Sequence, residues 1–162
     1  MSIRAATERD IEPLCRLFVE FHNFHAEGVP DERLPSLGSP EVFECAEFTK
    51  SLTKILSNPD AAVFVADVGR QIIGMAEVYM KPDTGEHTST EHHYGHLQSL
   101  MVKPAERRQG IATRLIAHAE QWAREHGATE MQLETWEFTG GPNLFYERVG
   151  YRTIRRTWAR KL

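Results

Sequence analysis

The chain is poor in cysteine: Cys15 and Cys45 are its only two. Both sit inside helical patterns and make neither a disulfide framework nor a metal box, so each reads as a small buried apolar residue in a reducing compartment. No apolar run approaches the length that spans a bilayer, and the opening MSIRAATERD has no signal-peptide core, which points to the cytoplasm and away from a membrane. An excess of one charge is also missing. The 19 basic and 23 acidic residues leave a net charge of -4, which argues against a dedicated nucleic-acid binder and steers a cationic ligand only weakly. Repeats, linkers and low-complexity tracts are absent, so residues 1-162, with 41% hydrophobic side chains, are expected to form one domain around one core.

What is present is an alternation of strand and helix patterns. SIRAA reads as a short strand. Thr7, three residues before Asp10, starts a helix predicted over residues 8-23, with Ile11, Leu14, Leu17, Phe18 and Phe21 at helical spacing. Residues 22-40 lose periodicity and read as a long loop. A second helix is predicted over 41-56. AAVFVAD and QIIGMAEVYMK flank a tight turn at Val68-Gly69-Arg70. After a polar stretch over 82-95, HLQSLMV (96-102) is a strand. Ile111, Leu115, Ala119, Trp122 and Ala123 trace a helix capped by Gly127. EMQLETW is a strand, NLFYERV a short helix closed by Gly150, and YRTIRRTWARKL a final strand with Ile154, Trp158 and Arg156 on its inner side. The predicted class is α/β (α+β), with a mixed, mostly antiparallel sheet of about six to seven strands and about four helices.

The segment PAERRQGIAT carries the chemistry. A strand ending at Val102, a short loop and a helix starting near Gly110 bring unpaired backbone N-H groups to one point, where the helix dipole favours an anion. Gly110 has no side chain to bar close approach and Ala112 only a methyl, while Arg107, Arg108 and Arg114 add positive charge. A pyrophosphate fits this cradle. Neither G-x-x-x-x-G-K-[ST] nor G-x-G-x-x-G is present, so the usual nucleotide loops are excluded.

The run LMVKPAERRQGIATRL resembles the acetyl-CoA-binding core of the GNAT superfamily of N-acetyltransferases, through Leu100, Val102, Pro104, Arg107, Gly110 and Ala112. TWEFTGGPNLFYERVGY resembles the family's later motif, and IRAATERDIEPL its N-terminus. The resemblance implies a sheet splayed between strands 96-102 and 130-136. It also implies that acetyl-CoA lies along Leu100, Met101 and Val102 and over Arg107, Arg108, Gln109, Gly110, Ile111, Ala112 and Thr113. Thr139 stands where the family commonly has Asn, and Asn143, one turn later, is the substitute.

Acetyl transfer to an amine needs the amine deprotonated, donors for the acyl oxygen and a proton for the leaving thiolate. The resemblance implies Tyr146 for the last role and the Val102 N-H for the oxygen. The base stays open among His96, Glu77, Glu134 and a water chain, because Gln98 stands where several relatives have an acid. Phe21, Phe24 and His25, together with Glu134, are expected to wall the acceptor, a small-molecule or peptide amine, and the 82-95 stretch to border it. His87, His92, His93 and His96 lack the paired spacing of a zinc motif, so no metal is expected. Without a poised nucleophilic Cys or Ser, direct attack in a ternary complex is favoured over an acyl-enzyme. The alternative is a non-catalytic acyl-CoA-binding regulatory module. The C-terminal strand, as a sheet edge, leaves room for a homodimer.

Overall fold

A computed structural model describes residues 1-29, 32-83 and 92-160. Its order is β1 (Ser2–Ala5), α1 (Ile11–Gly28), α2 (Ala46–Leu56), β2 (Ala61–Val68), β3 (Gln71–Asp83), β4 (His92–Val102), α3 (Ile111–Glu125), β5 (Glu130–Gln132) and α4 (Asn143–Arg148). The strands form one mixed sheet in sequence order, antiparallel from β1 to β4 and parallel between β4 and β5. The β2-β3 turn needs left-handed backbone at both central residues, and Gly69 and Arg70 have φ of 58° and 76°.

Helix α3 covers one face of the sheet, where Leu115, Ile116 and Ala119 meet Val78, Leu97 and Val102. Helices α1 and α2 cover the other, where Leu14, Leu17 and Leu52 meet Val63, Val65, Met75 and Met101. Burying both faces explains the long apolar runs of β2 and β3.

Four expectations need correction. The described sheet has five strands rather than six to seven, because residues 151-160 form no strand; β5 is also short and stops at Gln132. Ile154 and Trp158 are 61% and 86% exposed, so neither an apolar face nor a ladder partner fixes that segment. Helix α1 starts at Ile11, after a 3-10 turn at Glu8–Asp10, and runs to Gly28. Its extra turn is held by Phe24 and His25, whose rings lie 5.5 and 5.9 Å from that of Phe138, a long-range contact that periodicity does not reveal. Helix α2 begins only at Ala46, with Cys45 preceding it.

The cysteines are the fourth correction. Cys15 and Cys45 form a disulfide with Cα atoms 6.1 Å apart. Their spacing in sequence is no guide, since the packing of α1 against the start of α2 brings them together.

Candidate active site

The site is built where the sheet opens. β5 pairs with β4 only through Tyr94-Glu130, Gly95-Met131 and His96-Gln132, so among the described residues no strand partners 97-102 on that side. The splay read from the resemblance is present at that point. At its apex the β3-β4 register slips: Glu77 faces Ser99 and Val78 faces Leu97, leaving Gln98 as a bulge residue. A bulge re-aims a side chain, and Gln98 is exposed in the cleft whereas His96 is buried and outside its lining. Simple alternation had put both on one face; the bulge breaks that alternation.

The backbone of β4 is oriented by its other neighbour. Lys103 N-H donates to the Ile73 carbonyl at 2.9 Å, which makes Gly74-Val102 a non-hydrogen-bonded pair of the antiparallel ladder. Two residues back, Ala76-Leu100 has the same character. The N-H and C=O of Leu100 and Val102 therefore point away from β3, into the gap. Gly74 keeps this packing close, since a Cβ there would lie 2.8 Å from the Met101 carbonyl oxygen.

Beyond Val102 a 3-10 turn at Pro104–Glu106 leads to α3. Gly110 is the N-cap, with φ of 75° and no side-chain cap; its carbonyl accepts the Arg114 N-H at 3.1 Å. The N-H groups of Ile111, Ala112 and Thr113 consequently lack helical partners, and all three residues line the cleft. A Cβ on Gly110 would meet no atom within 4 Å, so the space over the loop is open. Arg108, with φ of 66°, also adopts left-handed backbone.

These elements bound one cleft of about 560 Å³. Of the expected cofactor-binding residues, Leu100, Met101, Val102, Arg107, Arg108, Gly110, Ile111, Ala112, Thr113 and Tyr146 line it. Gln109 and Asn143 do not. The Gln109 side chain donates to Glu106 at 3.3 Å, and Asn143 Oδ1 accepts the Thr135 hydroxyl at 2.6 Å, tying α4 to the strand end. Phe21, Phe24, His25 and Glu134 line the cleft as expected of acceptor residues. His25 Nδ1-H donates to the Phe21 carbonyl at 2.9 Å, which leaves Nε2 as the acceptor of the neutral ring.

Among the three catalytic candidates Tyr146 alone lines the cleft. Burial pushes its phenol up to about 12, so it is a proton donor at neutral pH. Glu77 instead accepts hydroxyl hydrogen bonds from Tyr79 and Ser99 within the sheet. His96 is held below its ordinary value, first by burial and then by Lys81.

Several lining residues escaped sequence reading, among them Glu106, Thr135, Gly140, Gly141 and Arg148. For Gly140 and Gly141 the GGP break before α4 was the signal. Residues 84-91, with His87, lie outside the described residues. The described residues of the 82-95 stretch belong to β3 and β4 and do not line the cleft. Among the described residues no group of three or more potential metal ligands occurs, and no helix is long and apolar enough to cross a membrane.

An uncapped helix start that continues into outward-facing strand amides occurs in a chain whose residues 30-151 match the acetyltransferase (GNAT) family. The chain belongs to that family. A blasticidin-S acetyltransferase of Streptomyces morookaense is 48% identical over 58 residues, 35% of this chain and 41% of that protein. An aminoglycoside N(6')-acetyltransferase type 1 of Klebsiella aerogenes is 30% identical over 95 residues, 56% of this chain and 61% of that protein. The chain thus spans less than two thirds of either relative. A solved structure of a tetramutant of the BH1408 protein from Bacillus halodurans has a TM-score of 0.82 at 20% identity over 100% of both chains, which shows the shared fold. The family so matched is one of acetyltransferases.

Proposed function

We propose that this GNAT protein transfers an acetyl group from acetyl-CoA to an amine by direct attack in a ternary complex. The observation that carries the reading is the continuity of the three uncapped N-H groups of α3 with the outward N-H and C=O of Leu100 and the outward N-H of Val102. The first set suits a diphosphate and the second suits the amides of a pantetheine arm, added to β4 like a strand. Arg108, on the loop before Gly110, adds charge at the phosphate end.

Acetyl-CoA supplies an acetyl thioester when bound. The protein's own groups do the rest. Val102 N-H donates to the acyl oxygen, which stabilises charge there as the amine lone pair forms the new C-N bond. The C-S bond breaks and Tyr146 O-H gives its proton to the sulfur, while the attacking nitrogen, positively charged once the C-N bond has formed, releases its second proton to water and Tyr146 takes one back from solvent. The acceptor nitrogen must shed a proton first. Of His96, Glu77 and Glu134, only Glu134 lines the cleft, so it holds the ammonium while the proton leaves to water through the open mouth.

Calorimetry with CoA and thiol release in the presence of an amine panel test this reading. Binding together with acceptor-dependent release is expected. A folded protein that gives no heat with CoA overturns the donor assignment.

A further inference from the structure

Among the described residues two carboxylates line the cleft, Glu106 and Glu134. Glu106 sits on the turn before the anion loop and accepts the Gln109 amide. That leaves Glu134 alone at the apex of the splay, two residues beyond the last β4-β5 pair and beside the Gln98 bulge.

Opposite stand aromatic rings. Phe21 and Phe24 come from α1, and the Phe24 ring is backed by Phe138 at 5.5 Å. Phe138 is seated against Gly28, where any Cβ would overlap its ring. The Arg107 guanidinium lies 5.1 Å from the Phe24 centroid, a fixed positive charge at the edge of the acceptor wall.

Resting on the acetyl-transfer reading above, we propose that the acceptor is a small amine with a single positive charge on an apolar or aromatic body, and that polycations are poor acceptors. Glu134 takes the ammonium and the phenylalanine wall takes the body. A polycation buries further ammonium groups only where further carboxylates answer them. Among the described residues, Glu20 and Glu27 line a separate cleft of about 360 Å³. Phe24, Met101 and Arg107 line both clefts and so partition them, with the guanidinium repelling a second cation on its way across. The acceptor class here thus differs from that in the name of the Klebsiella relative.

The test compares kcat/KM of the full chain, with acetyl-CoA, for phenethylamine and tryptamine against spermidine and kanamycin. At least a ten-fold preference for the monoamines is expected. Glu134→Gln should raise KM for phenethylamine about ten-fold and leave the Kd for CoA within two-fold. Preferred turnover of spermidine or kanamycin overturns the proposal, as does turnover of neither monoamine or an unchanged KM in Glu134→Gln. If CoA binds normally in those cases, the donor reading stands and the acceptor proposal alone falls. Absence of CoA binding in the wild type takes both down.

Discussion

Arg107 closes the end of β4: its Nε-H donates to the Val102 carbonyl at 3.0 Å, and the same guanidinium lies over the Phe24 ring. One side chain thereby fixes the strand end that is proposed to carry the acyl oxygen and touches the acceptor wall. Lysine keeps the charge but lacks the planar fork. Arg107→Lys should weaken CoA binding by about three- to ten-fold and Arg107→Ala by more than ten-fold, since a charge-assisted hydrogen bond is worth about 1.5-3 kcal/mol. Calorimetry on the three proteins reads the series. Equal affinities would remove Arg107 from the donor site.

Tyr146 carries the proposed proton transfer to sulfur. Its phenol, pushed up to about 12 by burial, stays protonated through the usual assay range. Tyr146→Phe should lower kcat by on the order of 10²-fold while leaving CoA affinity nearly intact. The wild-type rate should show no loss from phenol ionisation below about pH 11. An unchanged kcat in the variant would end the assignment.

The loop corner of this cleft was legible in local chemistry, while the roles of the strand residues and of Tyr146 came through the family resemblance. Gly110 needs left-handed backbone at a helix start, and Leu100, Val102 and Gly127 carry strand and cap signals that depend on near neighbours. What escaped was long-range. The Gln98 bulge follows from register with β3, the last turn of α1 from Phe138, and the disulfide from helix packing. Alternation in YRTIRRTWARKL was real as a pattern, but a strand also needs a partner and a buried face, and residues 151-160 have neither.

The disulfide closes the loop that leads from α1, past Phe21 and Phe24, to the start of α2. With a sequence separation of 30, loop closure in the unfolded chain costs about 3-4 kcal/mol in the chain-entropy model. Cys15→Ser with Cys45→Ser should lower stability by up to that amount, read as the urea midpoint at unchanged slope. Because Cys15 is fully buried, Cys15→Ala should be the milder single replacement. Equal midpoints with and without the pair would show that it contributes nothing.

Gly28 offers a probe of the acceptor wall that leaves the donor loop alone. Any Cβ at this position overlaps the Phe138 ring, so Gly28→Ala must push that ring from its place behind Phe24. The expected result is a several-fold rise in KM for the amine, with CoA affinity unchanged. A matching loss of CoA affinity would mean that the two halves of the cleft are one mechanical unit.

Arg4 joins the N-terminal strand to two carboxylates. It bonds Asp10 at 2.7 and 2.8 Å and Asp67 at 2.9 Å, while the Thr7 N-H donates to Asp10 at 2.8 Å. The Arg4 hydrogen bonds, and then that from Thr7, outweigh burial and hold the Asp10 carboxyl down at about 2, against an ordinary 3.8. The unfolded chain therefore takes up this proton first as pH falls. The stabilisation, roughly 2 kcal/mol, is complete above about pH 5 and is lost progressively down to about pH 2. Urea unfolding at pH 6, 4 and 3 should show a steeper acid loss in the wild type than in Asp10→Asn, which is already weaker at pH 6. Parallel pH dependences in the two proteins would contradict the assignment of that loss to Asp10.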